Sequence, residues 1–167
     1  MAGFFGFVYV AVMMSFIYQI RELQNGGEFV VLLFLAAWGN DTLAYCTGML
    51  IGKHKMSPIL SPKKSIEGLV GGIVGAAILG ALYGLYLNTY IRFSFNPVTM
   101  FPIVCGLGGA VSVIGDLAAS AIKRDSGIKD YGTLIPGHGG ILDRFDSIIF
   151  IAPVIYYLTV MISGGAI

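Results

Sequence analysis

The stretch Ser120 to Asp146, SAIKRDSGIKDYGTLIPGHGGILDRFD, gathers four cations, four carboxylates, one histidine and five glycines. It lies in a chain that is 56% hydrophobic and 11% charged. Hydrocarbon penalises charge and irregular backbone, so a block this polar set against apolar segments implies chemistry. Within it, Gly137-His138-Gly139-Gly140 can bring backbone close to a ligand, because glycine has no side chain and tolerates unusual dihedrals. Asp143-Arg144-x-Asp146 then opens an apolar segment, with two carboxylates spaced to share a helical face. Magnesium commonly takes one or two carboxylates and completes its octahedron with water and phosphate oxygens. Asp116 with Asp143 would meet that need. His138 has no His or Cys partners suited to zinc, and no GxSxG elbow accompanies it as a hydrolase base.

Other polar residues are spaced to join this block. Asp116 lies roughly 10 Å, at helical rise, from the basic end of its apolar segment. Asp116, Ser120 and Lys123 fall at i, i+4 and i+7, on one face. An acid at that depth either stitches helices together or marks an ion or substrate site. Asn40 and Asp41 sit in another apolar segment with Tyr45 one turn further on. They read either as a hydrogen-bonding pair between helices or as a wall of the same cavity. In Ser61-Pro62-Lys63-Lys64-Ser65, either serine could cap the following helix. Two lysines and free N–H groups at a helix start suit phosphate; the alternative is an anchor to anionic headgroups. No GxxxxGK[ST] loop is present. The set as a whole suits phosphoryl or nucleotidyl transfer on a lipid headgroup, where positioning and charge neutralisation do most of the work.

The elements that must position these groups are membrane helices. Mean hydropathy is +0.83, and apolar runs near the length of a span occupy 3–20, 29–51, 69–90, 98–122 and 147–162. The expected fold is therefore all-α, a polytopic integral membrane protein of about five helices forming one transmembrane domain over 1–167. The first run lacks a basic start and a clear cleavage site, so it reads as a span rather than a signal peptide. Lys53, Lys55, Lys63 and Lys64 lie in the second loop (52–68), and Lys123, Arg124, Lys129 and Arg144 in the fourth (123–146). Only Arg21 and Arg92 of the ten Lys and Arg lie elsewhere. The positive-inside rule puts those two loops in the cytoplasm, with the N-terminus inside and the C-terminus outside. Cys46 and Cys105 are isolated and read as apolar packers. Gly72, Ala76, Gly80 and Gly84 form a small-residue stripe, open to packing within one chain or to a homodimer face.

Ser120-x-x-Lys123-Arg124, Lys129-Asp130, Pro136-x-His138-Gly139-Gly140 and Asp143-Arg144-x-Asp146 resemble the signature of the phosphatidate cytidylyltransferases, or CDP-diacylglycerol synthases. Asn40-Asp41-Thr42-x-Ala44-Tyr45, Gly52-Lys53, Ser61-Pro62-Lys63-Lys64-Ser65-x-Glu67-Gly68 and Gly115-Asp116 extend the resemblance over about residues 38 to 150. It implies transfer of CMP from CTP to phosphatidate with Mg2+ on Asp116 and Asp143. It also implies an inner (plasma) membrane enzyme with its site facing the cytoplasm and no nucleic-acid partner. On this reading Asp116, Asp143, Lys123 and Arg124 are the catalytic set. Asn40, Asp41, Lys63, Lys64, Ser65, Ser120, Lys129, His138, Gly139, Gly140, Arg144 and Asp146 contact substrate. Bacterial members usually carry extra spans before the Asn-Asp span, so the chain resembles their C-terminal, catalytic part. The alternatives are a CDP-archaeol-synthase-like cytidylyltransferase, whose group lacks the Gly-His-Gly-Gly motif, and a cation or proton transporter, whose broken helices or inverted repeats are not found here.

Overall fold

The computed structural model describes residues 7–57, 61–128, 130–132, 140 and 142–163. Lys129, His138 and Gly139, expected at the site, lie outside the described residues. Among the described residues, four helices are long and apolar enough to cross a membrane: Gly26–Ile51, Ile66–Asn88, Pro97–Asp125 and Leu142–Ile162. The all-α polytopic reading holds. Of the expected first span, the structure describes a π-helical stretch Phe7–Val12 and α1 (Met13–Glu22). Among the described residues these are too short together to count as a span.

A tight turn with Asn25 in the left-handed region (φ 59) joins α1 to α2 (Gly26–Phe34). Helix α2 passes through π-helical Leu35–Gly39 into α3 (Asn40–Ile51) without a break in direction. Wider π turns re-aim the residues that follow them and occur often at functional sites; here they precede Asn40 and Asp41. Two short strands follow, β1 (Lys55–Ser57) and β2 (Ser61–Ser65), paired antiparallel. This ribbon stands where the sequence suggested only a helix start. Ser65, not Ser61, caps α4 (Ile66–Asn88): its Oγ accepts from the Gly68 N–H at 3.1 Å. Asn96 caps α5 (Pro97–Asp125) by accepting from the Val98 N–H at 2.9 Å, with Pro97 in the first turn, where its missing N–H is not needed. Gly127 (φ 67) ends α5 in the left-handed conformation that glycine adopts without steric cost. Helix α6 (Leu142–Ile162) completes the bundle.

The most extensive packing joins α4 to α5 and to α3, with α5 also packed on α6. The small-residue stripe lies inside this packing. A Cβ on Gly84 would stand 2.5 Å from the Pro97 carbonyl oxygen, and one on Gly80 2.6 Å from that of Phe101. The stripe is thus used within the chain, and the opposite face of α4 (Val70, Val74, Ile78, Leu82) is exposed, as lipid contact requires. Away from the charged loops, Phe29, Phe93, Phe95 and Phe101 form an aromatic cluster that also includes Tyr83. The Tyr83 hydroxyl donates to the Glu28 carboxylate. Cys105 is fully buried beside this core, and Cys46 is exposed on α3.

Candidate functional site

At the other end of the bundle, α3, the ribbon, α4 and α5 enclose a cavity of about 540 Å³. Its polar wall carries Asn40, Asp41, Lys55, Lys64, Ser65 and Asp116; Tyr45, Met49, Leu69 and Val113 supply the apolar wall. Ribbon and helices are tied together at the rim. Glu67, in the first turn of α4, accepts the backbone N–H groups of Lys53 and His54 at 3.1 and 3.2 Å and pairs with His54 Nδ1 at 2.6 Å. Gly48 and Gly52 approach the Ser65 hydroxyl so closely that a Cβ would stand 2.9 and 2.6 Å from it. Lys64 is thereby held over the bundle. Its Nζ donates to Asp116 Oδ2 at 2.6 Å, and the side chains are 31% and 16% exposed.

Around Asp116 the acids are concentrated. Asp41 interacts electrostatically with Asp116, Lys64 and Asp146, and Asp146 with Asp116 and Lys123. Asn40 is fully buried between α4 and α5, where a Cβ on Gly72 or Gly109 would meet its Oδ1 at 2.7 or 3.1 Å. Its amide makes no hydrogen bond of ordinary geometry among the described residues, and neither does the fully buried Ser112 hydroxyl, one turn from Asp116. Buried polar atoms are normally paired, so the Asn40 amide, which lines the cavity, is suited to face water or substrate groups.

A second centre lies where α5 ends and α6 begins. Lys123 Nζ donates to Asp143 Oδ1 at 2.9 Å and lies 3.6 Å from Asp146 Oδ2. It also sits 5.1 Å from the centroid of the Tyr131 ring. Asp143 Oδ2 accepts the N–H groups of Tyr131 and Gly140 at 2.8 and 2.9 Å. Gly140 is buried against Gly132, where a Cβ would stand 2.9 Å from the Gly132 nitrogen. Burial, with the Asp146 and Asp143 carboxylates adding to it, pushes the Tyr131 phenol above its usual range despite opposition from Lys123. The ring over the ammonium is therefore neutral.

The two ends of the polar block are thus helical: Lys123 and Arg124 close α5, and Asp143, Arg144 and Asp146 open α6. Ser120 is half-buried on α5. Arg124 is exposed and donates to the Ile128 carbonyl at 3.2 Å, which fastens the end of α5 rather than reaching the cavity. Arg144 is exposed, and its carbonyl accepts from Trp38 Nε1 at 3.4 Å. Lys63 is located in β2. Three residues with no sequence signal for a site role emerge from the geometry: Trp38, packed at a tilt against Phe34 and edge-on to Phe145, Tyr131, and Lys55 in the cavity wall. Trp38 is the sole tryptophan of the chain, but nothing in its neighbours in sequence points to α6.

Among the described residues no three His, Cys, Asp or Glu side chains converge closely enough to hold a metal unaided. Oxygen donors in ones and twos suit magnesium, which retains waters and takes phosphate oxygens. Asp116 fits: it lines the cavity, and among the described residues its hydrogen-bond partner is Lys64. Asp143 is more committed, with partners on both oxygens, although a carboxylate oxygen can accept twice.

The family model described as "Cytidylyltransferase family" matches residues 1–162. A phosphatidate cytidylyltransferase of Staphylococcus saprophyticus is 37% identical over 154 residues, covering 92% of this chain and 56% of the relative. One from Staphylococcus haemolyticus is 36% identical over 146 residues, covering 87% and 54%. One from Staphylococcus aureus strain COL is 39% identical over 152 residues, covering 91% and 56%. The chain spans about half the length of the curated relatives it matches.

Proposed function

The chain belongs to the cytidylyltransferase family, and from that premise we propose that it carries the site of a phosphatidate cytidylyltransferase in a bacterial plasma membrane. A phosphate oxygen of phosphatidate attacks the α-phosphorus of CTP; the bond from that phosphorus to the β-phosphate oxygen breaks. CDP-diacylglycerol forms and diphosphate leaves. No strong base is needed, because a phosphate monoester has a second pKa near ~6 and is already largely ionised at neutral pH. The task is to bring two polyanions together at a lipid surface.

The observation that carries this reading is the composition of one cavity. It brings Lys55, Lys64, Asp41 and Asp116 together with Tyr45, Met49 and Leu69, between membrane-spanning helices. A cavity with both kinds of lining can hold phosphates on its charged groups while acyl chains stay in lipid. Lys55 and Lys64 can bind phosphate oxygens, and the buried Asn40 amide lies in the cavity wall beside Asp41. Lys123 orients Asp143 and Asp146 at the start of α6. Asp116 with Asp143 would hold magnesium, which when bound neutralises charge on the nucleotide phosphates. The Lys and Arg bias of the two basic loops supports a cytoplasmic position for the cavity's end.

The test is formation of CDP-diacylglycerol from labelled CTP by the purified protein in mixed micelles with phosphatidate and Mg2+. The expected result is a labelled lipid whose yield requires all three. Absence of that lipid, or equal yield without Mg2+, would overturn the assignment or its metal.

A further inference from the structure

Each ammonium of the two charged centres answers a carboxylate, but only one of them is free to leave. Lys123 is 12% exposed, makes contact with two acids and is covered by the Tyr131 ring. Lys64 is 31% exposed, pairs with a single oxygen of Asp116, and lines the open cavity on a flexible stem. A lysine ammonium on four rotatable bonds can move by several bond lengths without any backbone change.

The geometry points to a role for Lys64 as an exchangeable counter-ion. Resting on the reading that Asp116 takes a divalent cation, we propose that Lys64 holds the Asp116 carboxylate while the metal is away. It yields that carboxylate when the cation arrives and so becomes available to a nucleotide phosphate in the same cavity. A divalent ion and an ammonium on one half-buried carboxylate repel each other, because the cavity screens charge less than water does. Without its own counter-ion, Asp116 would stand unpaired beside Asp41 and Asp146, with which it interacts electrostatically. Lys64 therefore makes an acid-rich site tolerable when empty and links loading of the cation to delivery of a phosphate-binding charge. Lys123 does not have this freedom and stays a fixed strut.

The experiment is Mn2+ binding, followed by electron paramagnetic resonance, to the solubilised protein without nucleotide. Lys64→Gln should bind Mn2+ about tenfold more tightly than wild type, since the competing ion pair is gone. Lys64→Arg, which keeps the pair, should bind like wild type. Lys64→Gln should also bind CTP more weakly, so the two affinities move in opposite directions; a merely structural lysine would weaken both. On wild-type protein, acetylation of Lys64 read by mass spectrometry should rise when Mn2+ is added, with exposed Lys53 as the internal reference. This arm does not depend on any variant folding. Unchanged or weaker Mn2+ binding in Lys64→Gln, or Lys64 labelling indifferent to Mn2+, overturns the exchange while leaving the metal site standing, provided that Asp116→Asn abolishes Mn2+ binding. If Asp116→Asn binds Mn2+ as wild type does, the metal reading and the exchange fall together.

Discussion

The two lysine–carboxylate centres differ in what surrounds them. Around Lys123, Asp143 accepts from an ammonium and two backbone N–H groups, Tyr131 covers the charge, and Lys123 and Asp143 are 12% and 5% exposed. Around Lys64, a single contact spans an open cavity, and the acid side has spare capacity. The first centre has the satisfied hydrogen bonding that a buried pair needs in order to contribute structure. The second has the vacancy that a binding site needs. Charge pairs of similar length thus perform different tasks, and what separates them is whether their remaining lone pairs are occupied.

That difference can be broken from either side. The largest effect should come from Asp116→Asn: transfer activity should fall by about two to three orders of magnitude, the scale of losing a key electrostatic group. Its thermal midpoint in detergent should stay near that of wild type. At the other centre the pattern reverses. Lys123→Met leaves two buried carboxylates without their cation and should destabilise the protein by roughly 3 kcal/mol. Thermal unfolding should show this, and adding Asp143→Asn should restore part of it, because the partners are coupled. Gly84→Ala, far from both centres, drives a methyl into the backbone at Pro97. It should lower stability by about 1–3 kcal/mol and leave the lipid and nucleotide dependence of the remaining activity unchanged. The smallest effect belongs to Trp38→Phe, which keeps the ring packing but loses the hydrogen bond to the Arg144 carbonyl, a contact worth about 1 kcal/mol. Steady-state kinetics should show a loss of only a few-fold in kcat/KM.

Of the five expected spans, four correspond to helices long enough to cross a membrane among the described residues, because continuous apolar length is a local property, but hydropathy marked where lipid ends rather than where helices end. The run ending at 122 continues as helix to Asp125 and stops only at Gly127, whose left-handed φ is the true terminator. Similarly α6 begins at Leu142, ahead of the apolar run, so Asp143 and Asp146 stand on a rigid helix instead of a loop. The β1–β2 ribbon was hidden because Lys55–Ser57 and Ser61–Ser65 are too short and too polar to show alternation. Ser61 and Ser65 were equivalent as caps until the strand claimed one of them. Asp116 was legible as a costly acid. Its pairing with Lys64, fifty-two residues away, was not, because it depends on how α4 packs against α5. Trp38 reaches Arg144 across a gap of 106 residues, and no local pattern encodes such a contact.

The most direct measurement is the initial rate of diphosphate release from CTP with and without phosphatidate, in wild type and in Asp116→Asn side by side. The account predicts release only from wild type, and only when phosphatidate is present. Phosphatidate-dependent release that survives unchanged in a folded Asp116→Asn protein would contradict it.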